Sequence, residues 1–527
     1  MTAIDRRDFL RLAAALGVTA TAAGCTHRSP APATSSAKPS TTGAPAPSSQ
    51  PPSSPPAPSD LASLKRRLGG KLVLPSDSQY ATAAQLYDPR FDAIRPAAIA
   101  KCATPDDVTS CLRYVKAAGA TFAARSGGHS YGGYSTSSGL VIDVGAMNAI
   151  TPGRTPGTAR VGAGARLVDV YAALAAQGVS IPAGSCPTVG VTGLALGGGI
   201  GVVGRKYGLT CDRLTAVELV TADGEQVRCD ANHDADLFWA QRGGGGGNFG
   251  VVTALEFATH RTQPLSYFLL RWDWPHAADV LAAWQSWLPT TPDELWSSLH
   301  VDGAASSTTT PKVYVTGVYV GALADLQKLT DALQAAAKAP MSSRFANQTD
   351  YLRTMMIEGG CADFTVAQCR TSSEGGKLQR SPQLARSDFI AGPLTSSGVD
   401  VVLSGVEARQ RQGLPGGSVL FDAYGGAINR VGPTETAFAH RDKLACLQYV
   451  VPLLDPKQTK ANQAWLDGLY AELRPHVSGY AYQNYIDPQL SDWQHAYYGV
   501  NLDRLRGVKT TYDPDDLFRF AQSIPTR

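Results

Sequence analysis

Three glycine-rich stretches limit what this chain can fold into. They are Arg125-Ser126-Gly127-Gly128-His129-Ser130-Tyr131-Gly132-Gly133, the span from Ala183 to Gly201, and the span from Arg242 to Val252. Each is flanked tightly by strand-like or helix-like sequence, so none reads as a linker. Glycine without a Cβ lets backbone approach a ligand closely, and successive turn glycines turn several N–H groups to one side, a nest suited to pyrophosphate. None of the three contains G-x-x-x-x-G-K-[ST], and none is a strand-G-x-G-x-x-G-helix followed by an acidic residue. That argues against a P-loop NTPase and a Rossmann dinucleotide fold.

Two residues inside these stretches carry chemistry. His129 stands where it faces whatever the first nest holds, and Cys186 sits in a turn among small residues, where a nucleophilic thiolate is exposed. On composition alone the bland readings lead: a loop histidine is more often a hydrogen-bonded surface residue, and a lone cysteine is more often a buried structural thiol.

The whole chain of 527 residues is 43% hydrophobic and 17% charged, enough apolar material for two or three domains. Its formal net charge is +3 with no basic run beyond the N-terminus, which gives no footprint for nucleic acid. Asp5-Arg6-Arg7-Asp8-Phe9-Leu10, an apolar segment to Ala23, and Gly24-Cys25 resemble a Tat signal with a lipoprotein-type site. Residues 1–25 are therefore expected to direct export, with Cys25 either lipidated to anchor the protein in the cell envelope or simply cleaved off to release it. Residues 26–74 are assigned as a tether, with an almost wholly Pro/Ala/Ser/Thr composition over 26–59 and folding signals from Asp60. Of the nine cysteines, Cys361 and Cys369 form the closest-spaced plausible disulfide loop, and no spacing makes a convincing zinc site, so no metal is expected.

Periodicity predicts a mixed α+β region over 75–265. Thr104 caps a helix with Pro105 at its first position, strands fall at 121–124, 140–144, 159–163 and 251–258, and a hairpin turns at Gly224. From 266 to 475 the alternation changes to long strands at 267–274, 312–320, 418–424 and 444–451 with amphipathic helices between them, an antiparallel sheet with helices on one face. The Tyr-rich segment 476–527 closes with a short helix near 515–520.

R-S-G-G-H-S-Y, C-P-T-V-G with G-G-G-x-G and R-K-Y-G-L, and G-G-N-F-G-V-V-T occur in that order. With the closing Y-Q-N-Y-x-D…Y-D-P-x-x-L-F they resemble the berberine bridge enzyme-like family, FAD-linked oxidases of the vanillyl-alcohol oxidase superfamily with a PCMH-type FAD-binding domain. The resemblance spans about residues 75–527. It implies an FAD domain at 75–265, a substrate domain at 266–475, and a C-terminal segment that returns to the FAD domain.

It also implies site residues. His129 corresponds to the residue bonded to the flavin 8α carbon and Cys186 to the one bonded to C6, which places the chain with the bicovalent members. Arg125, Ser126, Gly127, Gly128, Ser130, Tyr131, Thr188, Val189, Gly190, Gly193, Gly198, Gly199, Gly201, Gly247, Asn248, Gly250, Val251, Val252, Asn484 and Tyr485 are the further cofactor-binding candidates. The catalytic base is expected at Tyr482, on one strand face with Asn484, with Tyr485 on the other. Its partner is expected at Tyr424, with Asp422 and Gln448 behind it. The implied reaction oxidises the alcohol of a small-molecule substrate (a sugar hydroxyl or a secondary-metabolite carbinol), passes hydride to flavin N5, and reoxidises the flavin with O₂ to give H₂O₂. A dehydrogenase with another acceptor and a non-catalytic envelope flavoprotein are the alternatives.

Overall fold

The computed structural model describes residues 60–306 and 308–527. The expected signal, the lipidation site Cys25 and the tether over 26–59 lie outside the described residues.

The tether assignment ends too late. Asp60 caps a helix at Leu61–Arg67 by accepting the Ser63 N–H at 2.6 Å, and the next strand, β1 (Lys71–Val73), pairs antiparallel with β2 (Ala98–Lys101). Leu64, Leu72 and Val73 are buried, so residues 60–74 belong to the folded body. Burial of these side chains outweighs the polar composition just upstream.

Thr104 and Asp107 form a capping box at the start of the helix Pro105–Ala118, as the sequence predicts. The Asp107 carboxylate also accepts from the Gly69, Gly70 and Ala103 N–H groups, tying β1 to that helix. The helix is the crossover between β2 and β3 (Phe122–Arg125), and both pair in parallel with β4 (Leu140–Asp143). A second, antiparallel sheet is ordered β5-β6-β10-β8-β9. Its strands are β5 (Ile150–Pro152), β6 (Thr158–Gly162), β8 (Leu214–Val220), β9 (Gln226–Asp230) and β10 (Val251–Ala258). The β8–β9 hairpin turns at Gly224, whose φ is +88°. The short strand β7 (Val179–Ser180) pairs with β11 (His260–Arg261).

The remaining strands form one antiparallel sheet of seven, ordered β15-β12-β14-β13-β17-β18-β16. They are β12 (Leu265–Trp272), β13 (Leu295–Asp302), β14 (Lys312–Tyr319), β15 (Met341–Thr349), β16 (Gln383–Ile390), β17 (Ser418–Ala423) and β18 (Ala445–Pro452). The helices Leu323–Ala337, Ala277–Trp287, Ser396–Arg411 and Thr459–Leu473 pack in a row against it. Trp284 of this row donates its indole N–H to Ser297 Oγ at 2.9 Å. With a side-chain period of two, Ser297 therefore faces the helices while Trp296 and Ser298 face the other way. Cross-strand register carries Asp422, opposite Ser298, onto that face, away from the four-helix row. Gln448, opposite Leu420, joins it there.

The closing helix is misplaced in the sequence reading. It lies at Leu502–Tyr512, and 515–520 is an irregular turn. Asp513 accepts the Leu517 and Phe518 N–H groups, and the buried Lys509 ammonium bonds the Asp513 carboxylate and the Phe518 carbonyl. These side-chain contacts replace the hydrogen bonds a helix would make there. Cys361 and Cys369 are joined in a disulfide, as expected from their spacing.

Candidate active site

Three loops and one sheet face enclose a cavity of about 510 Å³. The first loop leaves the end of β3 and runs through His129; Ser126 anchors it by donating its hydroxyl to the Ala163 carbonyl at 2.6 Å. The second carries Cys186, whose carbonyl accepts the Val189 N–H and closes a turn ahead of the helix Val191–Leu196. The two loops interlock: a Cβ on Gly127 would fall on the Gly190 amide nitrogen, and one on Gly190 would fall on that of Gly127. The third loop is tied to the second, because Gly243 and Gly245 both donate N–H groups to the Leu196 carbonyl. Asn248 folds back to donate to the Gly244 carbonyl at 3.0 Å, and Lys509 donates to the Asn248 carbonyl, fastening the C-terminal segment on top.

His129 and Cys186 both line the cavity. The Thr188 hydroxyl lies 2.9 Å from His129 Nε2 and 3.8 Å from Cys186 Sγ. The His129 ring stacks on Tyr87, with centroids 4.0 Å apart. Burial, with the nearby Arg166 charge, lowers the His129 pKa to about 3. Burial raises that of Cys186, against opposing hydrogen bonds from Thr188 and Val189.

The cavity suits a long ligand with a polar chain and an aromatic head. Gly193 and Gly246 line it, and a Cβ at either would meet nothing closer than 3.9 Å, so the space over these glycines belongs to a ligand. Arg125 lines it too, 6% exposed, with its Nη1 buried and unpartnered. A buried guanidinium nitrogen without an acceptor fits an anionic group such as a pyrophosphate. These residues fit an FAD.

Most of the residues expected around a flavin do line the cavity: Ser126, Gly127, Gly128, Ser130, Tyr131, Val189, Gly190, Gly201, Gly247, Gly250, Val251, Val252, Asn484 and Tyr485. Thr188, Gly198, Gly199 and Asn248 stand one layer back. Gly198 and Gly199 have φ of +118° and +90°, and a Cβ would press Gly198 on Phe438 and Gly199 on Thr210. Tyr87, Trp296, Gln383, Gln483, Phe518 and Phe520 also line it and were not foreseen. The closing motif contained Phe518, whereas Trp296 and Gln383 become visible only through sheet register.

Of the catalytic candidates, Tyr482, Asp422 and Gln448 line the cavity and Tyr424 does not. Residues 483–485 form a 3₁₀ turn, not a strand. Tyr482 and Asn484 still meet, because the turn directs the Asn484 amide at the Tyr482 oxygen, 2.8 Å away. That oxygen also receives the Gly199 N–H at 2.9 Å and the Ile200 N–H at 3.3 Å. Tyr482 lines the cavity and is 1% exposed; burial raises its pKa, and the three N–H donors oppose that by favouring the phenolate. Tyr424 does not line the cavity. β17 ends at Ala423, the Tyr424 N–H turns to the Leu444 carbonyl, and its ring packs edge-on against Phe389 with the hydroxyl unpartnered.

Asp422 and Gln448, expected behind, are in front and line the cavity. Burial raises the Asp422 pKa to about 6. Gln448 donates its amide to the Tyr131 hydroxyl at 2.9 Å, and Tyr131 stacks on Tyr485 with centroids 5.5 Å apart. Burial pushes the Tyr131 phenol up to about 12.

Residues 96–230 match the FAD binding domain family, and residues 481–525 match the Berberine and berberine like family. The chain is 34% identical over 466 residues to the uncharacterized FAD-linked oxidoreductase YgaK of Bacillus subtilis, covering 88% of this chain and 98% of that protein. The chain is a berberine bridge enzyme-like FAD-linked oxidoreductase. A chitooligosaccharide oxidase of Gibberella zeae is 31% identical to it over 446 residues, covering 81% of this chain and 87% of the other. Among solved structures, the berberine bridge enzyme-like protein 1 of Physcomitrella patens superposes with a TM-score of 0.81 at 30% identity, covering 89% of this chain and 99% of that one. This berberine bridge enzyme-like chain therefore binds FAD and is an oxidoreductase.

Proposed function

We propose that the protein is an oxidase of alcohol groups on a sugar, oligosaccharide or secondary-metabolite carbinol, with FAD bonded to both His129 and Cys186 and with O₂ as the electron acceptor. The observation that carries this is the meeting, in one cavity, of the two tether candidates with Asp422 and Gln448 from the sheet face away from the four-helix row. The chitooligosaccharide oxidase relative supports the substrate class. FAD supplies the hydride acceptor.

The protein's own groups do the rest. Asp422 accepts the substrate O–H proton: it is a carboxylate at neutral pH, and a pKa near 6 keeps it basic enough to take a proton there. Gln448 and Tyr131 form a fixed hydrogen-bonding edge that orients the hydroxyl. Tyr482, which lines the cavity with its oxygen held by three donors, braces the glycine loop at 199–200 and is the second candidate for the base. A low pKa keeps the His129 imidazole neutral, and in the tautomer that donates Nε2–H to Thr188 the Nδ1 lone pair is left for bonding carbon. The Cys361–Cys369 disulfide favours an oxidising compartment, in keeping with export by the twin arginine Arg6-Arg7. Replacing both arginines with Lys should hold the flavin-bearing precursor inside the cell.

The test is a screen of purified holoenzyme against mono- and oligosaccharides, with anaerobic flavin bleaching and peroxide release read together. Bleaching with peroxide supports the proposal. Bleaching without peroxide would make the protein a dehydrogenase, and absence of bleaching with any alcohol would favour a non-catalytic flavoprotein.

A further inference from the structure

We propose that the segment from Tyr351 to Arg380 sets the position of His129 for its bond to the flavin, acting through Glu374 and Arg380 as positioning residues. The inference rests on the reading of His129 as a flavin tether. The segment follows β15 as the helix Tyr351–Glu358, carries the Cys361–Cys369 disulfide, and packs Met356 and both cysteines on Val168 of the FAD domain. None of its residues lines the large cavity. Any influence on a bound flavin must pass through the loops.

Three ion pairs cross to the FAD domain: Arg370 with Asp169 at 2.6 Å, Glu374 with Arg166 at 2.7 Å, and Arg380 with Asp92 at 2.5 Å. Two of them lead on to the His129 loop. Glu374 takes both Nε–H and Nη2–H of Arg166, whose Nη1 then donates to the Ser126 carbonyl at 2.8 Å. Arg380 donates its Nε–H to the Leu86 carbonyl at 2.6 Å. The next residue, Tyr87, donates its N–H to the Gly128 carbonyl at 3.0 Å and stacks on the His129 ring. One grip holds the loop backbone before His129, and the other holds its ring. Glu374, Arg380, Arg166, Tyr87 and His129 wall a single small cavity of about 150 Å³, so the grips converge on one place.

The geometry matters because bond formation needs the imidazole at a near-attack distance and angle, and a misplacement of about 1 Å can cost a large rate factor. In the step concerned, an imidazole nitrogen of His129 bonds the carbon of the flavin 8-methyl group and one C–H bond of that methyl breaks. The C–H proton and the imidazole N–H proton are released, and the two electrons pass to O₂, which takes up two protons to become H₂O₂.

The full chain carrying Cys186→Ala isolates the His129 bond. In it, Glu374→Gln, Arg380→Gln and the pair of changes are compared with the conservative Glu374→Asp. Total flavin in the native protein and acid-stable flavin in the precipitate are followed during incubation with FAD. The expected result is unchanged total flavin with acid-stable flavin forming about tenfold more slowly in the Gln variants, and near-normal attachment in Glu374→Asp. Attachment as fast as in the parent overturns the proposal, as does a parallel fall of both flavin readings together with the melting temperature. A Cys186→Ala parent that holds no acid-stable flavin overturns the tether reading itself and the proposal with it, a result distinguishable because it precedes any change in the segment.

Discussion

Thr188 places its hydroxyl 2.9 Å from His129 Nε2, while the same oxygen lies 3.8 Å from Cys186 Sγ. One side chain thus joins two residues that belong to separate glycine-rich loops. The two positions are near enough to address one flavin ring, yet each is anchored by its own loop. Their bonds to a flavin should form independently.

Acid precipitation of the wild type should therefore leave the yellow colour on the polypeptide. His129→Ala and Cys186→Ala should each still hold flavin, and only the double variant should release it, read as flavin absorbance in the supernatant of soluble, folded protein. Release of all flavin from the wild type would falsify the two-bond reading.

Asp422→Asn should lower the rate of anaerobic flavin reduction by a factor on the order of 10² to 10⁴, the usual cost of losing a positioned base. Tyr482→Phe should act differently. It strips the acceptor from three N–H donors, two of them backbone, and should cost about 1–3 kcal/mol of stability with a smaller loss of rate. Stopped-flow reduction and thermal unfolding of both variants separate the two roles, and a larger rate loss in Tyr482→Phe would return the base to that residue.

The acid limb of the pH profile should belong to Asp422. Burial raises its folded pKa to about 6, above the ordinary carboxylate range, so flavin reduction should fall as pH drops through about 6, and Asp422→Asn should flatten that limb. For stability the sign is reversed relative to a salt-bridged acid. A carboxylate held ionised in a buried site destabilises the fold above its folded pKa, and the penalty vanishes below the unfolded value. The stability of Asp422→Asn relative to wild type should thus rise between pH 4 and pH 6 and level off above. Denaturant titrations at several pH values would show it, and a difference independent of pH would remove the shift from Asp422.

Val189 lines the cavity three residues after Cys186, beside the turn that presents the thiol. Val189→Leu should slow reoxidation by O₂ while leaving reduction by substrate nearly intact. If stopped-flow finds both half-reactions slowed alike, Val189 shapes the flavin pocket generally and does not gate oxygen.

Local signals in the sequence agree with the structure where local physics decides the outcome. Thr104, Pro105 and Asp107 announce a helix start by themselves, and the apolar run Val251–Ala258 matches β10 residue for residue. The three loops were legible because glycine at positive φ against packed backbone leaves few alternatives. Sequence and structure part where a distant partner decides. The 482–485 turn exists because the Gln483 amide reaches the Gly243 carbonyl and the Asn484 amide reaches that of Leu194, contacts with residues more than two hundred positions away. Asp422 and Tyr424 exchanged places because β17 stops one residue short of Tyr424, a boundary that alternation cannot reveal. The 515–520 turn follows from Lys509 reaching three acceptors at once.

The interlock of Gly127 with Gly190 has a bearing on redesign. Backbone lies directly on backbone there, with the Ser126 hydroxyl beside Gly190, so a side chain added at either glycine would push the two loops apart. The gap between the two flavin tethers cannot be tuned by substitution at these two glycines. It can be changed by shifting the elements beneath, β3 on one side and the helix Val191–Leu196 on the other. A larger or differently substituted flavin ring would have to be accommodated elsewhere in the cavity, most readily on the sheet face that carries Asp422 and Gln448.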